Sequence, residues 1–158
     1  MTPANRGIPQ VNAVAFTGTH TGMTYRQCLA VKQLLQELRP DVVHHGDCLG
    51  ADAQFDAFAA IECIRRVAHP CHLRGRREET YRAFCRAEMV HKPLAPLARN
   101  RGIVSRCQTL IAAPRTAVEE LRSGTWATVR YARQAGLRVL VVNPDGTIVE
   151  TQQKGFAI

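Results

Sequence analysis

The stretch VNAVAFTGTHTGMT, residues 11–24, decides how the fold is read. It opens with a short apolar, β-prone run, Val11 to Phe16, that stops at Thr17-Gly18. A loop rich in threonine and glycine follows and ends at Thr24, whose hydroxyl suits the N-cap of a helix. Beyond it Leu29, Val31, Leu34, Leu35 and Leu38 recur at helical spacing, and Pro40 closes the run. A strand, a glycine-bearing loop and an amphipathic helix in that order are the first half of a βαβ unit.

The same alternation continues outward. Asp41 to His45 (DVVHH) reads as a second strand, and Gly46-Asp47-Cys48-Leu49-Gly50 as its loop. Ala51 to Cys63 is alanine-rich and helical, with Phe55, Phe58 and Ile61 on one face, and Ile64 to Ala68 reads as a third strand. Residues 69–97 carry Arg74, Arg76, Arg77, Arg82 and Arg86, then Pro93 and Pro96; a helix is predicted over Glu78 to Val90 with a proline-marked loop after it. A short helix over Leu97 to Ser105 leads to a fourth strand, Thr109 to Ala113. A polar loop, Pro114 to Ser123, precedes a helix from Gly124 to Gln134 that Gly136 closes. Arg138 to Val142 is a fifth strand, and the turn Pro144-Asp145-Gly146 leads to a short final one, Thr147 to Glu150. Short apolar strands alternating with helices predict an α/β fold. The expected form is a Rossmann-like, doubly wound, mainly parallel sheet of about five strands flanked by helices, in a single domain over residues 11–158. Residues 1–10 read as a flexible N-terminal arm.

Composition narrows the partners. The chain has 158 residues, 46% hydrophobic and 22% charged, as expected of one globular domain with a real core. No apolar run reaches the roughly 18 residues that a membrane span needs. The first ten residues hold no apolar leader, so no membrane partner and a cytoplasmic location are expected. Lys and Arg total 21 against 13 acids, a net charge of +8, which favours polyanions: nucleotides, single-stranded nucleic acid or an acidic protein. Only Lys32, Lys92 and Lys154 are lysines, so the cations are overwhelmingly guanidinium groups, suited to bidentate phosphate contacts. The six cysteines include no CxxC pair, and Cys71-His72 with His69 fits no zinc spacing, so free thiols, no metal and no cofactor are expected.

In a doubly wound sheet, ligands bind beyond the carboxyl ends of the strands, where helix N-termini present free N–H groups. Three loops occupy that place. Thr17 to Thr24 offers Gly18, Thr19 and His20, but it is neither a Walker A loop nor a GxGxxG fingerprint. His44 to Asp52 offers Gly46, Asp47 and Gly50. Asp47 is placed to accept from ribose hydroxyls or a base, Asp52 to cap its own helix, and one of His44 and His45 to face the site. Arg122 to Thr128 offers Ser123, Gly124 and Thr125 as an anion cradle at a helix start, with Trp126 either stacking on a base or packing in the core. Arg99-Asn100-Arg101 reads as a phosphate or sugar clamp, or as a solvated helix face.

Gly18-Thr19, Gly46, Gly50 and Asp52, Arg99-Asn100-Arg101 and Ser123-Gly124-Thr125, in that order over residues 11–146, resemble the SLOG superfamily. It includes the Rossmann domain of DNA-processing protein A, the Lonely Guy phosphoribohydrolases and YspA- and YpsA-like stand-alone domains. The resemblance implies binding of nucleotides, nucleotide-derived signals or single-stranded DNA, in some branches hydrolysis of an N-glycosidic bond, and homo-oligomers; the helix expected around Glu78 to Val90 could serve a dimer. The chain departs from the pattern twice. The phosphoribohydrolases carry a proline–glycine–glycine run before Gly-Thr and a glutamate after it; here Arg122-Ser123 precedes Gly124-Thr125, and Thr128 stands where the glutamate would. Asp47, or Glu119, is then the candidate catalytic carboxylate, since water activation and oxocarbenium stabilisation need one. The arginine usual before the second-loop glycine of DNA-processing protein A is Leu49. The expected function is nucleotide or nucleotide-derivative binding or sensing. The alternatives are a nucleoside 5′-monophosphate N-glycosidase and a single-stranded DNA-binding protein.

Overall fold

Every second residue of the first strand faces the same way, and the structure is built on that alternation. The computed structural model describes residues 10–151, so all but the last residue of the expected N-terminal arm lies outside the described residues. Strand β1 is Ala13–Gly18, β2 Val42–His45, β3 Arg65–Ala68, β4 Met89–Val90, β5 Thr109–Ala113, β6 Arg138–Val142 and β7 Ile148–Thr151. They form one seven-stranded sheet in the order β4-β3-β2-β1-β5-β6-β7. All neighbours are parallel except β6 and β7, which pair antiparallel across the Pro144-Asp145-Gly146 turn.

Helices α1 (Tyr25–Leu38) and α2 (Ala51–Ile61) cover one face, α3 (Pro96–Val104) and α4 (Gly124–Gln134) the other. Val14 and Phe16 of β1, with Ile111 and Ala113 of β5, pack under Val31, Leu34 and Leu35 of α1 and Phe55 of α2. The alternate residues, Ala13, Ala15, Leu110 and Ala112, meet Ile103 and Val104 of α3 and Trp126 and Val129 of α4. Phe16 and Phe55 stack at 4.2 Å between ring centroids, locking α2 to the sheet's centre.

Helix α1 starts where its sequence predicts. Thr24 Oγ1 accepts from the Gln27 N–H at 3.1 Å while Gln27 Oε1 accepts from the Thr24 N–H at 3.0 Å, a complete capping box. Arg39 closes the helix in the left-handed conformation ahead of Pro40.

Four expectations change. The sheet has seven strands where about five were expected: the short final strand expected over Thr147 to Glu150 forms β7 at one edge, and the unexpected β4 extends the other. Ile61 is 76% exposed, so the buried face of α2 runs through Phe55 and Ala59 instead. Asp52 does not cap α2: the N-cap is Gly50, with no side-chain cap bond, and Asp52 Oδ2 accepts from the Cys48 N–H at 3.2 Å. The helix expected over Glu78 to Val90 is a single 3₁₀ turn, Glu78–Thr80, followed by an irregular strap and then β4. The strap's backbone groups are taken by the second loop: Ala83 N–H donates to the Asp47 carbonyl at 2.8 Å, Cys85 N–H to Asp47 Oδ1 at 2.9 Å, and Leu49 N–H to the Tyr81 carbonyl at 2.9 Å. Phe84 is left-handed (φ 54°), which no helix interior tolerates. The element offered for a dimer contact is therefore absent as a helix.

Candidate functional site

The strand order reverses direction on either side of β1, whose neighbours β2 and β5 are reached by crossovers of opposite sense. Such a switch point leaves a crevice beyond the strands' carboxyl ends. A cavity of about 380 Å³ lies there. Its lining comes from the end of β1 (Thr17, Gly18, His20), the loop into α2 (Cys48, Leu49, Asp52), and the segment after β3 (Cys71, Leu73, Arg76, Tyr81). Pro96, Arg99 and Asn100 at the start of α3, with Gly124, Thr125 and Thr128 at the start of α4, complete it.

The loops meet closely because two glycines allow it. Gly50 has φ +90°, and a Cβ there would lie 2.2 Å from the His20 carbonyl oxygen, so no larger residue fits between the first and second loops. At Gly46 a Cβ would fall 2.6 Å from Arg99 Nη1. Arg99 uses that space: Nη1 donates to the Gly46 carbonyl at 2.8 Å and to the His69 carbonyl at 3.1 Å, tying the ends of β2 and β3 to α3. Its Nε donates to Asn100 Oδ1 at 2.7 Å. These two glycines, expected to touch ligand, serve the packing of the loops and do not line the cavity.

The remaining expected residues divide. Gly18, His20, Arg99, Asn100, Gly124 and Thr125 come together around the cavity. Thr19 and Ser123 border an adjoining groove that shares His20, Gly124 and Thr125 with it. Ser123 Oγ caps α4 by accepting from the Trp126 N–H at 3.2 Å. Arg101 turns away, its guanidinium 5.8 Å from the Tyr131 ring centroid. Trp126 is buried in the core.

Asp47 is not on the cavity. It is 1% exposed, and its carboxylate is held by Arg82 Nε at 2.9 Å and the Cys85 N–H. Glu119 is spent on Arg130 at 3.1 Å and Arg133 at 3.7 Å. The carboxylate that does reach the cavity is Asp52, which the sequence offered as a cap. Thr128, at the position of the missing glutamate, donates its hydroxyl back to the Gly124 carbonyl at 3.0 Å.

Neither strand histidine faces the cavity. His45 Nε2 contacts Asp56 Oδ1 at 2.8 Å, and His44 Nδ1 contacts His69 Nε2 at 2.8 Å. Burial, with the nearby Arg106 charge, brings the His44 imidazole down to about 4. Burial and His44 bring His69 down to about 2. His45, Asp56 and Cys85 place one ligand atom each within 4.8 Å of one another, but Asp56 Oδ2 is already paired with Arg66 Nη1 at 2.7 Å.

Sequence reasoning missed Cys48, Cys71, Leu73, Arg76 and Tyr81 as cavity residues. A signal existed for the two cysteines. His45 and Ala68 are register partners in β2 and β3, and Cys48 and Cys71 each lie three residues beyond them.

This fold is shared with solved structures. DNA processing protein A from Streptococcus pneumoniae superposes with a TM-score of 0.61 at 20% identity, over 83% of this chain and 50% of that one. The likeness is one of fold, a mostly parallel Rossmann-like sheet flanked by helices. The chain spans half the length of that DNA processing protein, so it matches a part of it. The molybdenum cofactor binding protein of Rippkaea orientalis superposes with a TM-score of 0.63 at 16% identity, covering 86% of this chain and 78% of that one. The Moco carrier protein of Chlamydomonas reinhardtii gives 0.60 at 14% identity, covering 83% and 75%. No family model matches the chain, and no curated protein matches it by sequence. Among the described residues, no helix is long and apolar enough to cross a membrane.

Proposed function

We propose that the cavity binds a nucleotide or nucleotide-derived small molecule, and that the protein acts as a binding or sensing domain. The observation that carries this is the convergence of the α4 N-terminus with the β1 loop at the switch point. There Gly124 and Thr125 offer a helix N-terminus to an anion, facing an apolar wall of Leu49, Leu73, Tyr81 and Pro96. In this reading the phosphate lies toward Gly124, Thr125 and Gly18, and the base toward Tyr81. Asn100 and Asp52 are within the lining to meet ribose hydroxyls. Two neighbours of the same fold are named for binding or carrying the molybdenum cofactor, which supports small-ligand use of this scaffold.

Isothermal titration of the purified chain against a nucleotide panel tests it. Saturable one-to-one binding of at least one nucleotide is expected, with no free base on chromatography after prolonged incubation. The absence of saturable binding to every member overturns the reading.

Asp52 favours a second reading, because a carboxylate does reach the cavity even though the motif glutamate is missing. As an N-glycosidase, the protein would release free base from a nucleoside monophosphate, with Asp52 activating water. Base release that disappears in Asp52→Asn would establish it in place of the first.

A further inference from the structure

Two cysteines from different crossovers meet at the cavity. The strands that carry them lie side by side, since β2 and β3 are parallel neighbours with His45 opposite Ala68. Cys48 and Cys71 leave those strands at the same offset, and both are buried yet border the cavity. Both are free thiols. Their sulfur atoms are hydrogen-bonding partners, with Arg99 Nη1 3.8 Å from Cys48 Sγ.

The surroundings divide the roles. The hydrogen bond from Cys71, with a smaller contribution from Arg99, holds the Cys48 thiol below its ordinary range against the effect of burial. The same hydrogen bond and burial push Cys71 up. Cys28, Cys85 and Cys107 are also pushed up, in each case chiefly by burial. A thiol held below its ordinary range beside a cation and a second thiol is the arrangement that oxidants attack first.

We propose that Cys48 and Cys71 are a peroxide-oxidisable dithiol that closes to an intramolecular disulfide across the cavity. The Cys48 thiolate attacks one peroxide oxygen and the O–O bond breaks. The departing hydroxide takes a proton to become water, leaving a sulfenic acid on Cys48. The Cys71 sulfur then attacks the Cys48 sulfur, the S–O bond breaks, and the leaving hydroxide takes the Cys71 proton as a second water. Two thiols and one peroxide give one disulfide and two waters, the sulfur pair supplying the two electrons that reduce the O–O bond. This does not rest on the nucleotide reading.

The test uses the whole chain carrying Cys63→Ser. Cys63 is the exposed cysteine, and trypsin leaves it on the same fragment as Cys48, residues 33–65, because Arg39 precedes Pro40. The reduced protein is treated with a small excess of hydrogen peroxide, alkylated, digested and analysed by mass spectrometry. The expected product is fragment 33–65 linked to fragment 67–74. Two thiols and two hydrogen atoms per chain are lost, and both return with dithiothreitol. In a Cys71→Ser version, Cys48 is expected to stop at the sulfenic acid and be trapped by dimedone. Cys48 running to sulfinic acid without the linked fragment, or staying alkylatable while the other thiols oxidise, overturns the proposal. The linked fragment decides the matter even where Cys71→Ser does not fold.

Discussion

The buried carboxylate of Asp47 receives Arg82 Nε at 2.9 Å, and that contact fastens the strap of residues 78–90 over the second loop. Asp47 adopts φ 54°, a left-handed conformation that asparagine tolerates well and alanine poorly. Removing one partner of a buried ion pair costs about 3–5 kcal/mol. Asp47→Ala loses the charge, the Cys85 N–H acceptor and the backbone fit together, so a loss of about 4 kcal/mol is expected. Asp47→Asn keeps an acceptor and the backbone conformation and should cost about half as much. Urea denaturation at neutral pH measures both. If alanine and asparagine cost the same, the strap is not held in this way.

At Gly124, which lines the cavity, a Cβ would meet nothing within 4 Å. Gly124→Val therefore adds bulk where the ligand's anion is placed, without a clash inside the protein. Its unfolding free energy should stay within about 0.5 kcal/mol of the parent. Nucleotide affinity should fall at least tenfold, an effect of about 1.4 kcal/mol. Titration calorimetry beside a thermal melt separates the two effects. Unchanged affinity in a folded Gly124→Val protein would remove this end of the cavity from the binding site.

What the sequence made legible was local. The β1 loop and α1 were readable because the alternation of Val14 and Phe16 and the Thr24–Gln27 capping box act within a few residues. Gly18, Gly124 and Thr125 were readable as neighbours around one cavity because the ends of parallel strands and the starts of their helices must gather at one edge of the sheet. The fate of Asp47 was not, since its partners Arg82 and Cys85 lie 35 and 38 residues away in a segment without periodicity of its own. The same long-range bonds took the backbone groups that a helix over residues 78–90 would have used. Strand β4 has only two residues, both exposed, and exists by pairing with β3.

The His44–His69 pair makes stability depend on mild acid. Burial holds the two imidazoles near 4 and 2 in the folded chain, against 6.5 when exposed. Below about pH 6.5 the unfolded chain therefore binds more protons than the folded one, and stability falls as pH drops through this window. It is fully present above the unfolded value. Each histidine contributes a slope of up to about 1.4 kcal/mol per pH unit. Denaturant titrations at about pH 7 and about pH 5 should differ accordingly, and His44→Gln with His69→Gln should flatten the difference. Equal stability at the two pH values in the parent protein would contradict the buried neutral pair. The contribution of Asp56, held low by its His45 and Arg66 partners against burial, is lost only in stronger acid, below the ordinary carboxylate value of 3.8.

Gln27 sits 1% exposed at the first turn of α1 and connects three elements. Its Nε2 donates to the Pro114 carbonyl at 2.8 Å and to the Val142 carbonyl at 3.0 Å, while Oε1 completes the capping box. The Pro114 and Val142 carbonyls stand at the ends of β5 and β6, so this amide closes the sheet's carboxyl edge beneath α1. Gln27→Leu keeps the bulk but leaves those acceptors facing an apolar side chain, each at a cost of about 1–3 kcal/mol. A total loss of about 3 kcal/mol is expected by urea denaturation, with faster amide exchange at Thr24 and the first turn of α1. Thr24→Ala removes the hydroxyl half of the cap and should cost only about 1 kcal/mol. A Gln27→Leu protein no weaker than Thr24→Ala would mean that the capping bond, not the link to β5 and β6, is what Gln27 contributes.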